Sequence, residues 1–137
     1  MIATASLTEQ TRYARTLPCL AQSVGEAREA VRAALSAWGL SELADVGTLL
    51  VTELVANSVQ HTPCRFIRVI VSRRDEILVR ISVVDRSHDL PVPRAADVND
   101  AAGRGLALIE TLTHRWGTET KNWGKAVWGE LRSEVGQ

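Results

Sequence analysis

The sequence predicts an α+β domain built as a two-layer sandwich, a mixed but mostly antiparallel sheet with helices on one face. Two helical periods follow each other before residue 62, and two period-two segments follow each other from residue 66. The links inside each pair are short, and consecutive helices followed by consecutive strands favour this architecture over a parallel sheet, which alternates them. With 137 residues, the chain has the length of one domain and can bury a core without staples.

Taken in order, residues 1–14 are polar and predict a disordered N-terminal segment, leaving a single domain over residues 15–137. Residues 15–20 predict a short edge strand whose pairing Pro18 limits. Ser23 and Glu26 have the spacing of a capping box, in which the hydroxyl accepts from the third helical N–H and the glutamate reaches back. The helix that follows runs to about Trp38 on an apolar stripe of Ala27, Val31, Ala34, Leu35 and Trp38, and Gly39 ends it. Ser41 is placed to cap a second, longer helix over residues 41–61, which Pro63 stops.

From Phe66 the period becomes two. Ile67, Val69 and Val71 form one face of a first strand and Ile77, Val79, Ile81 and Val83 one face of a second. Their short link predicts an antiparallel hairpin, although Asp75-Glu76 is not a favoured turn pair. Residues 86–102 have prolines and polar groups without a period, a length usually found in functional lids or mobile segments. A third helix follows Gly103-Arg104-Gly105 through Leu106, Ile109, Leu112 and Thr113, and stops by Gly117. Strands over residues 116–121 and 125–131, joined around Asn122-Trp123-Gly124, close the chain as a hairpin. Trp116, Trp123 and Trp128 near it read as core or cross-strand packing.

Composition narrows the function classes. Hydrophobic residues at 45% and charged residues at 23% are ordinary for a globular chain and exclude disorder as its main state. Sixteen basic residues balance sixteen acidic ones, which disfavours nucleic acid and acidic membrane surfaces as partners. The N-terminus has no apolar core of a signal peptide and no run approaches a membrane span, so a cytoplasmic protein is expected. Cys19 and Cys64 are too few for a disulfide framework and read as small packing residues, and His61 with Cys64 is only half a metal site.

The chemistry is concentrated on the second helix. Glu53, Asn57 and His61 recur at four-residue spacing and share one stripe, which runs back into apolar Val46 and Leu50. A core-facing stripe that ends in an acid, an amide and an imidazole either serves a ligand or emerges into solvent. Asp85 ends an inner strand, and Gly103 and Gly105 open a helix whose free N–H groups and positive dipole end suit a phosphate. An asparagine oxygen is a hard ligand for Mg²⁺, Glu53 one turn away could take a proton in line with a terminal phosphate, and Asp85 could hold the exocyclic amine of adenine. Together these groups describe a site for ATP with Mg²⁺. Each also has a plainer reading: loop punctuation for the glycines, a turn former for Asp85, a solvated surface group for Arg104, and a helix C-terminal cap for His61, which is favoured over a catalytic role. His88 and His114 read as surface residues.

ELVANSVQH (residues 53–61) resembles the N box of the GHKL ATPases, the gyrase and histidine kinase group. VVDRS (residues 83–87) resembles a degenerate first glycine box, GRGLALIE (residues 103–110) resembles the second, and WGTETKNWGKAVWGEL is similar to the last hairpin of stand-alone ATP-binding proteins of actinomycetes, which resemble anti-sigma-factor serine/threonine kinases. The resemblance implies the Bergerat fold, with Glu53 as general base, Asn57 as Mg²⁺ ligand, Asp85 on adenine, and Gly103, Arg104, Gly105 and Leu106 at the nucleotide under a lid from residues 86–102. It also implies transfer of the ATP γ-phosphoryl group to a serine or threonine of an antagonist protein, coupled to sequestration of a sigma factor, and a homodimer, which is usual for such kinases. The family's first box has the form D-x-G-x-G, whereas residues 85–89 contain no glycine. Side chains stand there in place of bare backbone, which motivates a second reading: a module with the fold but without turnover that restrains a partner by contact alone.

Overall fold

The computed structural model describes residues 11–61, 65–86 and 101–134. Among them the chain runs β1 (Arg12–Pro18), α1 (Val24–Ala37), α2 (Ala44–His61), β2 (Phe66–Asp75), β3 (Leu78–Asp85), α3 (Ala101–Leu112), β4 (Arg115–Lys121) and β5 (Gly124–Arg132). The strands form one sheet in the order β1-β2-β3-β5-β4, with every neighbouring pair antiparallel. The helices pack on one face of it, α1 on β1 and β2, α2 on β3 and β5, and α3 on α2. The expected two-layer α+β sandwich is what the chain forms.

Alternation decides which face is covered. Ile67, Val69 and Val71 of β2 and Val79, Ile81 and Val83 of β3 are buried under Val31 and Leu35 of α1 and Leu50, Val51 and Leu54 of α2. Burying each such side chain is worth about 1.5–3 kcal/mol, which makes this layer the main source of stability. A Cβ on Gly129 of β5 would stand 2.7 Å from Thr113 and 3.0 Å from Leu50, so the bare backbone there lets α2 settle onto the sheet.

Several local readings are corrected. β1 starts at Arg12, so residues 12–14 belong to the sheet rather than to the N-terminal segment, while residues 1–10 lie outside the described residues. Ser23 makes no capping box: a 3₁₀ turn over Ala21–Ser23 already places it in helical geometry, and its hydroxyl donates back to the Pro18 carbonyl at 2.7 Å. Ser41 likewise sits in a 3₁₀ turn, Ser41–Leu43, and α2 begins at Ala44. The β2–β3 turn falls on Glu76-Ile77, where the Asp75 carboxylate accepts from the Ile77 N–H at 2.8 Å, so an Asx turn replaces the missing favoured pair.

α1 ends as expected. Gly39 has a φ of 69°, its N–H donates to Ser36, and Leu40 N–H donates to Leu35 at 2.8 Å, a Schellman closure with Leu35 and Leu40 both buried. Cys19, read as a free packing residue, is disulfide-bonded. Its N–H donates to the carbonyl of Arg65 at 2.9 Å, so strand pairing brings it beside the residue that follows Cys64 in sequence. Cys64, Pro63, His88 and residues 87–100 of the expected lid lie outside the described residues.

Candidate functional site

The site is built on the last three turns of α2. Leu50 is fully buried and Val46 half-buried against the core, as the stripe predicts. Further along the same stripe Glu53 is half-buried and Asn57 is only 7% exposed. The Asn57 Nδ2 is sealed from solvent and has no hydrogen-bond partner among the described residues. Leaving such a donor unmade costs about 1–3 kcal/mol, a cost that a fold tolerates where a bound group completes the site. His61 closes α2, at the C-terminal position its capping reading requires, and its side chain lies outside the described part of the structure.

One residue beyond Asn57 the helix turns a polar group toward the sheet. Ser58 is fully buried, and its hydroxyl donates to the Asp85 Oδ2 at 3.2 Å. Asp85 is the last residue of β3 and is 2% exposed. The predicted acid therefore lies against the helix that carries Asn57, through a serine that sequence reading passed over. Its signal was present: Ser58 lies on the stripe of Val51, Leu54 and Val55, and a hydroxyl on an apolar stripe needs a partner.

Two further residues hold this end of the sheet. A Cβ on Gly124 would stand 2.0 Å from the Asp85 carbonyl oxygen and 2.6 Å from the Arg86 Cα. Gly124 does not have a positive φ, so it is required by close approach of β3 rather than by a turn. Lys125, 1% exposed, faces Asp85 across the β3–β5 register. Strand alternation puts it on the inner face with Val127, Gly129 and Leu131, which is how the sequence could have shown it.

The glycine pair is shifted relative to expectation. α3 begins at Ala101, so Gly103, Arg104, Gly105 and Leu106 lie in its first two turns instead of preceding it. Ala101 and Ala102 are strong helix formers and extend the helix backward. Within the helix the N–H groups free of intrahelical partners are then those of residues 101–103, which include Gly103, while from Arg104 onward the helix uses its own carbonyls. α3 is held against α2 with Ile109 fully buried. The structure thus joins Ser58 and Asp85 directly, with Asn57 next to Ser58 on α2, and brings the glycine-bearing helix alongside α2.

A nucleotide with its divalent cation fits these groups. The Asn57 amide offers an N–H donor to a phosphate oxygen and a carbonyl oxygen to a hard cation, Asp85 offers an acceptor to a base amine, and the first turn of α3 offers N–H donors to a phosphate. A family model described as histidine kinase-like ATPase domain matches residues 17–128, from the end of β1 into β5, and so takes in Glu53, Asn57, Ser58, Asp85, Gly103, Gly105, Gly124 and Lys125. Curated proteins show no match to the chain.

Proposed function

The chain belongs to the histidine kinase-like ATPase family, and from that premise we propose that it is an ATP-binding regulatory protein, a Mg²⁺-dependent protein serine/threonine kinase that acts as an anti-sigma factor. The observation that carries this reading is Asn57, buried on α2 with its amide nitrogen unmet and one turn beyond Glu53. ATP with Mg²⁺ supplies the transferable γ-phosphoryl group. Asn57 holds the cation through its amide oxygen and donates from the unmet Nδ2 to a phosphate oxygen, Asp85 accepts from the adenine amine while Ser58 keeps its carboxylate oriented, and the first turn of α3 receives the phosphates. Glu53, half-buried and thus reachable, takes the proton from a serine or threonine hydroxyl of the antagonist protein.

No described helix is long and apolar enough to cross a membrane. The proposal places the protein in the cytoplasm, as a homodimer whose partners are a sigma factor and its antagonist. Calorimetry with ATP and Mg²⁺ tests it: Asn57→Ala weakens binding at least about tenfold, and Glu53→Ala leaves binding intact while slowing phosphoryl transfer by about 10²–10⁴. Absence of nucleotide binding to the unaltered chain overturns the reading.

A second reading rests on Asp85. Its carboxylate is 2% exposed and already engaged by Ser58, and no glycine follows it up to residue 89. Both features suit a contact-only module. Partner capture that is equal with and without nucleotide favours that module over the kinase.

A further inference from the structure

The sheet face opposite the helices carries a second site. A cavity of about 660 Å³ opens there at the β1–β2–β3 end, lined by Arg65, Phe66, Arg68, Val84, Arg86 and Trp123. Arg68 and Val84 belong to one cross-strand row, Thr16-Arg68-Val84-Ala126-Glu119, whose side chains point away from α1 and α2. Phe66 is 57% exposed and Trp123 50%, so of the two readings of this tryptophan, core or cross-strand packing, burial in the core is not the one it takes.

The patch is chemically one-sided. Arg65, Arg68 and Arg86 are all exposed, and none makes an ion pair with a described residue. Asp85 also borders the cavity, but its carboxylate points to Ser58 on the other side of the sheet. Arginine and large aromatic side chains around a concave surface are the composition of binding hot spots, and guanidinium forks match carboxylates in pairs. A long basic stripe, which a polynucleotide backbone requires, does not form: Glu119 ends the same row and the whole chain is electrically neutral.

The geometry points to a docking site for an acidic peptide segment of a protein partner, with an apolar side chain seated between Phe66 and Trp123 and carboxylates on Arg65, Arg68 and Arg86. The site lies across the sheet from Asn57 and does not depend on nucleotide. The test is a nuclear magnetic resonance titration of the whole chain, without nucleotide, using a short Asp/Glu/Leu peptide, a Lys/Arg/Leu peptide of equal length and a single-stranded oligonucleotide of equal charge. The acidic peptide shifts the Trp123 indole and the amides of residues 65–68, the basic peptide shifts neither, and Arg68→Glu or Trp123→Ala weakens binding about tenfold. Both substituted side chains are exposed, so an unchanged melting temperature verifies the fold of the variants. The inference is overturned if the acidic peptide leaves these signals unmoved, if the two variants bind it as the unaltered chain does, or if the oligonucleotide binds as tightly. Each of those outcomes leaves the calorimetric test of ATP binding untouched.

Discussion

Two buried acids sit on the β3–β5 ladder, Asp85 at one end and Glu130 toward the other, on opposite faces. Glu130, 1% exposed, faces away from the helices and is met by two guanidinium forks. Arg80 donates to one carboxylate oxygen at 2.9 and 2.8 Å, and Arg115 to the other at 2.8 and 2.8 Å. Arg80 also lies 3.8 Å above the Trp128 ring, which places that tryptophan in cross-strand packing as expected. Asp85 faces the helices and accepts from a neutral hydroxyl at 3.2 Å, long for a hydroxyl–carboxylate contact. Burial therefore does not by itself distinguish a structural acid from a functional one. The setting does: two guanidinium groups commit Glu130 to the face away from the helices, whereas Asp85 stands on the helix side, bonded to a serine of α2 and opposite Lys125 on β5.

The largest expected effect breaks the structural member of this pair. Glu130→Ala leaves Arg80 largely buried with only a 4.0 Å contact to the half-exposed Glu119, and should cost about 3 kcal/mol, the low end for opening a buried ion pair because Arg115 is 61% exposed. Urea denaturation measures it, with ATP affinity of the folded fraction unchanged. The acid also gives a pH signature. Burial pushes the Glu130 carboxyl up, but the bonds from Arg80 and Arg115 more than offset this and hold it below the ordinary carboxylate value of 4.5. A lowered folded pKa means that the stabilisation is complete above the unfolded value and is lost as pH falls through the folded one. Stability should fall in acid below about pH 4.5, and Glu130→Gln should remove that component. Glu42, lowered by its bond from the Ser133 hydroxyl, contributes in the same direction, and Glu42→Gln separates the two.

The next effect tests whether Asp85 is positioned by its neighbours. Gly124→Ala puts a methyl group where the β3 backbone passes, and should cost about 2 kcal/mol from overpacking. Unlike Glu130→Ala, it should also weaken ATP binding by the folded chain, because the backbone displaced is that of Asp85. Calorimetry at a temperature where the variant is folded checks this, and unchanged affinity would mean that β3 moves without disturbing the site.

This contrast also explains what could be read in advance. Period-two alternation identified the inner faces of β2 and β3, and four-residue spacing brought Glu53 and Asn57 onto one stripe, because side-chain direction follows local backbone geometry. Gly39 was legible for the same reason, since a helix end needs a residue that tolerates positive φ. Gly124 was not, because it is required by a strand remote in sequence and looks like turn punctuation. The Ser23 and Ser41 caps failed because a preceding 3₁₀ turn competes for the same residues, and residue spacing alone cannot reveal it. Trp123 went to the surface although its bulk suggests a core, as a hairpin tip has no second layer above it. Asp85 was placed by sequence, but its tie to Ser58 needed the crossing of α2 over β3.

The smallest expected effect is the sharpest. Ser58→Ala removes one long hydrogen bond and leaves the helix intact, so its stability cost should be about 1 kcal/mol, near the ordinary value for a hydrogen bond. If Asp85 holds the adenine amine, loss of the hydroxyl that orients it should still weaken ATP binding several-fold, measured by calorimetry, with Ser58→Thr restoring most of it. A structural acid behaves in the opposite way, losing much stability and no affinity, as Glu130 should. If Ser58→Ala instead costs as much stability as Glu130→Ala and leaves nucleotide affinity alone, the two acids are equivalent. Asp85 then belongs to the scaffold, and the contact-only reading of the chain gains its strongest support.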